Sequence, residues 1–260
     1  MKKYIAGFIG CGNMASAIIK GLQKDGGEAV NVYDVDRSKC AALGHVNICN
    51  TMDELADRSD IIFLCVKPNI LTDILPGLAK YKKAFVSIAA GVTTQKIKSL
   101  LGEDARLQRI MPNTPLMVGK GASCFETPST LTEDEQAFVA GIFESLGIVK
   151  YVDGSLMDSV TGISGSGPAY VYLFIDALAK AGIKHGLADK DAQDLALQTF
   201  IGACQMLLHT KKPAEQLIQE VCSPGGTTIE AMQVFEQQDI RGIMEKAVDA
   251  CVAKSKKLSE

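Results

Sequence analysis

The sequence has no tryptophan and only three histidines, and aromatic residues make up 6% of it. So few histidines leave little material for a histidine-rich metal centre or for neutral-pH acid–base chemistry. No apolar run approaches the roughly 18 residues that a membrane-spanning helix needs. The formal net charge is -3, so the basic surplus that marks a nucleic-acid or anionic-membrane binder is absent. The opening residues Met1-Lys2-Lys3-Tyr4-Ile5 lead straight into a strand-like segment, with no apolar signal core or cleavage site, and a cytoplasmic protein is expected. The eight cysteines form no Cys-x-x-Cys pair and show no metal-ligand spacing with histidine. Buried free thiols are expected, with no metal and no disulfide.

What is present is enough chain for two domains: 260 residues, 47% of them hydrophobic. The first part alternates strand-like and helix-like segments. Tyr4–Gly10, Ala29–Tyr33, Ile61–Val66, Phe85–Ala89 and Leu107–Met111 read as strands, and Met14–Lys24 reads as a helix with Ile18, Ile19 and Leu22 on one face. Short, continuous apolar strands are those of a sheet covered on both faces. The alternation predicts a doubly wound parallel α/β sheet over residues 1–152.

Val149-Lys150-Tyr151-Val152 is the last strand-like run. Beyond it only helical periodicity remains, over 167–186, 189–210, 213–221, 227–237 and 240–258, punctuated by Gly, Pro and Asp. Residues 153–260 therefore read as an all-helical domain. Its apolar faces, Ile175, Leu178 and Ala179 on one helix and Leu197, Ile201 and Leu208 on the next, exceed what a few helices bury alone. A homo-oligomer built through this domain is expected.

The strongest motif is Gly10-Cys11-Gly12-Asn13-Met14-Ala15, a G-x-G-x-x-A between the first strand and the first helix. Gly10 permits the tight turn, Gly12 lets a pyrophosphate approach the backbone, and Ala15 keeps helix and strand close. The pyrophosphate then meets free N–H groups at the helix start. This context, strand before and helix after, identifies a Rossmann dinucleotide site. Asp34 ends the second strand, 24 positions after Gly10, where a carboxylate bonds ribose hydroxyls and repels a 2′-phosphate; capping of the following helix is its alternative role. Arg37 pulls the other way, toward a phosphate or toward stacking on adenine. The residues leave NADH and NADPH open, with Asp34 leaning to NADH.

Three further segments end strands at the same edge of the sheet. Val66-Lys67-Pro68-Asn69 places Lys67 near cofactor phosphate or ribose, or simply in solvent. Ala89-Ala90-Gly91 has side chains small enough to admit the nicotinamide half. Arg109-Ile110-Met111-Pro112-Asn113-Thr114-Pro115 holds an irregular, proline-fixed loop in which Asn113 and Thr114 are candidates to line the cleft.

Two Gly-rich segments mark the helical domain. In Gly162-Ile163-Ser164-Gly165-Ser166-Gly167-Pro168-Ala169-Tyr170, Pro168 suits a first helical turn and the turn before it is expected to expose backbone N–H groups. In Cys222-Ser223-Pro224-Gly225-Gly226-Thr227-Thr228-Ile229-Glu230, the paired glycines precede a helix whose N-terminal amides suit a substrate carboxylate. The Thr228 hydroxyl adds a donor and acceptor beside the reacting atom, while capping by Thr227 is the plainer reading. His45, His185 and His209 all lie outside both segments. Carbonyl reduction normally needs a general acid, whereas an imine nitrogen can arrive already protonated and then needs mainly orientation. The residues therefore favour reduction of C=N. A sensor or scaffold would keep the cofactor motif and lose the substrate-side ones. A 3-hydroxyacid dehydrogenase would carry a lysine where Val171 stands.

Taken together, Gly10–Ala15, Val66-Lys67-Pro68, Met111–Pro115, Ser164–Tyr170 and Ser223–Thr228 resemble the pyrroline-5-carboxylate reductase family over essentially the whole chain, most closely within Leu217–Glu236. The resemblance implies reduction of 1-pyrroline-5-carboxylate to L-proline with NADPH or NADH. It also implies a Rossmann domain followed by an all-α domain that dimerises by interleaving, with decamers of five dimers in some members. It further implies that Gly225, Gly226, Thr227 and Thr228 bind the substrate carboxylate and that Thr228 stands near the ring nitrogen as the catalytic residue. Ser164, Gly165, Ser166 and Gly167 would help to enclose the substrate. The cofactor set read from the residues is Gly10, Cys11, Gly12, Asn13, Met14, Asp34, Arg37, Val66, Lys67, Pro68, Ala90 and Asn113. Asp34 departs from the family's usual NADPH-favouring loop.

Overall fold

The structure, a computed structural model, describes residues 3–23 and 30–259. Met1, Lys2, Lys24, Ala29 and Glu260, which the sequence reading places in the first segment, the first helix, the second strand and the helical domain, lie outside the described residues.

The sheet unit begins β1 (Ala6–Ile9), α1 (Asn13–Gln23), β2 (Val30–Tyr33), α2 (Arg37–Ala41), β3 (Val46–Ile48) and α3 (Met52–Asp57). It continues with β4 (Ile61–Leu64), α4 (Pro68–Leu78), β5 (Ala84–Ser87), α5 (Thr94–Leu101) and β6 (Arg106–Met111). A 3-10 turn at Thr114–Val118 leads to β7 (Gly121–Thr127), α6 (Glu133–Glu144) and β8 (Gly147–Asp153). The strand order is β3-β2-β1-β4-β5-β6-β7-β8.

Strands β1 to β6 are parallel, as expected for a doubly wound sheet. Alternate residues feed two cores: Phe8, Ile61 and Phe63 face one layer of helices, and Ile9, Ile62 and Leu64 face the other. That is why these strands are apolar throughout. On the first face Phe8 and Phe63 stack with ring centroids 4.6 Å apart. Local signals fix the helix starts. Asp36, Thr51, Thr93 and Thr132 each accept a first-turn amide, and Thr132 with Glu135 forms a reciprocal capping box.

The sequence reading missed β3 and β7. β3 has only three residues. β7 pairs antiparallel with β6, at Ile110↔Phe125 and Met111↔Cys124, and alternates buried and part-buried side chains instead of being apolar throughout. β8 then runs parallel to β7.

The helical unit contains α8 (Gly167–Lys184), α9 (Asp189–Thr210), α10 (Ala214–Val221), α11 (Thr227–Gln237) and the start of α12 (Ile240–Ser259), after a short α7 (Met157–Val160) that belongs to the sheet unit. These bounds fall within a few residues of the helical periods in the sequence. Compactness divides the chain elsewhere than at residue 152: the sheet unit runs to Ser166 and takes back Cys251 onward, and the helical unit is Gly167–Ala250. Within the helical unit α8 packs on α9 through small residues, with Ala179, Ala192 and Ala196 buried. Leu173, Leu178, Leu197, Ile201 and Leu208 remain exposed, Leu208 to 71%.

Candidate active site

The chain runs outward from β1 to β2 and β3, then crosses back to β4. The carboxyl ends of β1 and β4 therefore diverge and leave a crevice, the usual ligand position in such sheets. Gly10 turns the chain there with φ +95°, a value that disfavours any side chain, and its N–H donates to Tyr33 O at 2.8 Å. A Cβ on Gly10 would lie 2.6 Å from the Cys65 carbonyl oxygen, so the turn is pressed against the end of β4. Gly12 is the opposite case: a Cβ there would meet nothing within 4 Å. Its carbonyl accepts from Ser16, which opens α1, and the space above it is free for a pyrophosphate. Ala15 is buried against the sheet, whereas Asn13 is exposed.

Cys11 is buried between the loop and α2, its Sγ 3.4 Å from Cys40 Sγ. Burial and the neighbouring thiol push the Cys11 thiol well up, and burial does the same for Cys65. Both stay protonated at neutral pH and put no negative charge beside an incoming phosphate.

Asp34 follows β2 and is not a helix cap. The cap of α2 is Asp36, whose side chain accepts from Ser38 N. Asp34 instead ties the loop together: Oδ2 accepts the Cys11 N–H at 2.8 Å and Oδ1 accepts the Asp36 N–H at 2.9 Å. Each oxygen keeps a lone pair for a ribose hydroxyl. Arg37 is exposed and donates from Nη1 to Asn50 Oδ1 at 2.8 Å, which holds it beside the same loop.

One cleft of about 340 Å³ collects the remaining strand ends. Its walls are Met14 from α1, Cys65 to Pro68 after β4, Ile88 to Ala90 after β5, Met111 to Thr114 after β6, and Gly165. Met14, Val66, Lys67, Pro68, Ala90 and Asn113, named from the sequence, thus come together. Pro68 opens α4 and Lys67 is its N-cap residue; the exposed Lys67 ammonium has no ion-pair partner among the described residues. Cys65, Ile88, Met111 and Pro112 were missed as site residues. Their signal was position alone, at or next to the ends of parallel strands.

Asn113 has a second duty. Its Oδ1 accepts the Ala122 N–H at 2.9 Å and its Nδ2 donates to Ser164 O at 3.0 Å, so it pins the 161–166 segment to the sheet. That segment corrects an expectation. It is no open turn but a single π-helical turn, Thr161–Gly165, continuing α7. The Ser166 N–H donates to Thr161 O at 2.9 Å and is not available to a ligand. Ser164 Oγ donates to Val160 O. Small residues allow the wider helix, and a Cβ on Gly165 would lie 2.5 Å from Met111 Cε. A side chain there would displace Met111, which lines the same cleft.

In the helical unit, Gly225 (φ +69°) turns the chain and Gly226 occupies the N-cap position of α11. Thr227 is therefore the first helical residue and does not cap. No side chain caps this helix, which leaves its first-turn amides open to an anion. Thr228 lies within that first turn and borders an apolar groove of about 420 Å³ shared with α9 and α10. His45, His185 and His209 form no part of either cleft lining.

A helix start beside a glycine with free space over it, at the switch point of a parallel sheet, fits a dinucleotide and defines a nucleotide-binding protein of the Rossmann class. A family model described as NADP oxidoreductase, coenzyme F420-dependent, matches residues 5–91, and one described as pyrroline-5-carboxylate reductase dimerisation matches residues 154–258. The chain is 38% identical over 270 residues to pyrroline-5-carboxylate reductase of Escherichia coli strain K12, covering 100% of both. It is 37% identical to that of Glycine max, covering 99% of the chain and 97% of the relative. The crystal structure of Plasmodium falciparum pyrroline carboxylate reductase with NADP bound superposes with TM-score 0.92 at 32% identity over 100% of both chains. The chain belongs to the pyrroline-5-carboxylate reductase family.

Proposed function

We propose that this protein reduces the C=N bond of 1-pyrroline-5-carboxylate to L-proline with NADPH or NADH, the last step of proline biosynthesis. One observation carries the reading most directly. Four sequence motifs that are far apart in the chain line a single cleft at the carboxyl edge of the sheet.

When bound, the reduced nicotinamide supplies the hydride. Gly10 and Cys11 build the turn, their own amides spent on Tyr33 O and Asp34 Oδ2, while Gly12, Asn13 and Met14 meet the pyrophosphate at the start of α1, and Asp34 and Arg37 flank the adenosine ribose. Val66, Lys67, Pro68, Ala90 and Asn113 bound the nicotinamide half. On the substrate side, the first-turn amides of Thr227 and Thr228 bind the carboxylate, with Gly225 and Gly226, whose own N–H donates to Ser223 O at 3.0 Å, shaping their turn. Ser164, Gly165, Ser166 and Gly167 enclose the ring. Thr228 is the catalytic residue, its hydroxyl orienting the ring nitrogen. The iminium carries its own proton, so hydride addition at carbon yields the neutral ring amine and the oxidised cofactor. No side-chain acid is required.

The exposed apolar faces of α8 and α9, together with a family model described by its dimerisation, support a homodimer through the helical unit. Decamers of five such dimers are the further assembly we propose. Among the described residues no helix is long and apolar enough to cross a membrane, and we place the enzyme in the cytoplasm.

The test is cofactor oxidation, followed at the nicotinamide absorbance, with and without the cyclic imine. Turnover only with the imine is expected. Tight NAD(P)H binding without turnover would make the protein a cofactor sensor.

A further inference from the structure

The last turns of α12 leave the helical unit and lie against the sheet unit. Three residues there, Cys251, Ser255 and Leu258, are spaced i, i+4 and i+7 and so share one helix face. Each meets a different segment around the cofactor cleft. Cys251 Sγ lies 3.1 Å from Ser166 Oγ, at the end of the π-helical turn. Ser255, only 5% exposed, donates from Oγ to Asp158 Oδ1 at 2.6 Å, in the helix that feeds that turn. A Cβ on Gly91 would stand 3.0 Å from Leu258 Cβ, so the residue after Ala90 is backed by the same face.

We infer that Ser255, with its partner Asp158, is a positioning residue for imine reduction, an inference that rests on the function proposed above. The π-helical turn supplies Gly165 to the cleft wall and carries Ser164 and Ser166. On the sheet side Asn113 holds it at Ser164 O. On the other side the α12 face holds it at both ends, through Asp158 and Ser166. A turn with wide π-helical pitch has weaker internal restraint than an α-helix, and outside contacts fix its position. A wall displaced by even a fraction of an ångström costs rate through orientation, not through cofactor affinity. The pyrophosphate loop is untouched by these contacts.

The experiment is steady-state kinetics on Ser255→Ala, Asp158→Ala, Asp158→Asn and the double alanine variant, with NADH dissociation constants from fluorescence. Expected for either single alanine variant is a roughly tenfold or greater fall in kcat/KM for the imine, with the NADH dissociation constant unchanged within about twofold. Asp158→Asn keeps an acceptor for Ser255 and should restore most of the rate. The double variant should be no worse than either single. If Ser255→Ala yields little folded protein, Asp158→Ala, which removes the same bond from its other side, provides the same readout. Unchanged imine kinetics, or equal losses of cofactor affinity and rate, would overturn the inference. Failure of the wild-type enzyme to turn over the imine would instead overturn the proposed reaction, and the two failures are distinct.

Discussion

Gly10 and Gly12 are two positions apart, and substitution should break the protein in different ways. In Gly12→Val the added side chain enters open space, with nothing within 4 Å of the Cβ. The loss of apo stability should be about 1 kcal/mol, the difference between glycine and a β-branched residue where a helix begins. The same atoms fill the space that a pyrophosphate needs. In Gly10→Ala the residue must hold φ +95° with its Cβ 2.6 Å from the Cys65 carbonyl oxygen. Left-handed strain of about 1–2 kcal/mol and overpacking of about 1–3 kcal/mol together predict about 2–5 kcal/mol lost. The assay is thermal unfolding at fixed protein concentration, without cofactor and with NADH at a hundredfold excess over its dissociation constant. Bound ligand at that ratio stabilises the wild type by about 2.7 kcal/mol, and each kcal/mol moves Tm by about 2–4 °C in a chain of this size. Wild type should therefore rise by about 5–11 °C with NADH. Gly12→Val should start within a few degrees of wild type and show no rise, and Gly10→Ala should start well below both. A Gly12→Val protein that gains the full cofactor shift would refute the placement of the pyrophosphate. One that falls as far as Gly10→Ala without cofactor would refute the open space over Gly12.

Asp34→Asn removes the charge that opposes a 2′-phosphate. The ratio of kcat/KM with NADPH to that with NADH should rise about tenfold, or 1.4 kcal/mol; an unaltered ratio would reduce Asp34 to a loop anchor for Cys11 and Asp36. Thr228→Ala should lower kcat by about 10- to 100-fold, the loss of one well-placed hydrogen bond, with the NADH dissociation constant unchanged. Wild-type turnover in this variant would exclude Thr228 from the reaction. Arg109 Nη1 lies 3.1 Å from Glu126 Oε2, with the two side chains 6% and 12% exposed. Glu126→Ala strands that guanidinium and should cost about 3–5 kcal/mol in urea unfolding, with Glu126→Gln milder; a loss under 1 kcal/mol in the alanine variant would show that the arginine finds water.

Much of the site was legible in the sequence because its parts are local. Gly10 and Gly12 read as a turn and an open helix start from spacing alone, and the structure gives them those roles. The helices from 167 to 259 followed from 3.6-residue periodicity and Gly or Pro punctuation. Local reading failed where a residue's partners are distant. Asp34 has the pattern of a cap, yet its oxygens go to Cys11 and to Asp36, which itself caps the helix. Ser164 to Ser166 look like an open Gly-rich loop, yet they continue a helix whose last amide is already bonded to Thr161. Strand β7 carries an alternating pattern that an antiparallel partner satisfies, and no neighbour in sequence announces β6.

The sequence by itself determined most of the parallel strands, the helices beyond residue 167 and the need for glycine at the Gly10 turn, because these depend on φ/ψ preference and on periods of two to four residues. Only the tertiary structure decided that the strand ends share one cleft, that Asn113 spans two segments, and that Cys251, Ser255 and Leu258 return to the sheet unit. Those contacts join residues up to 167 positions apart, between Gly91 and Leu258. They are set by how whole elements pack, and packing is a property of surfaces that no short window of sequence contains.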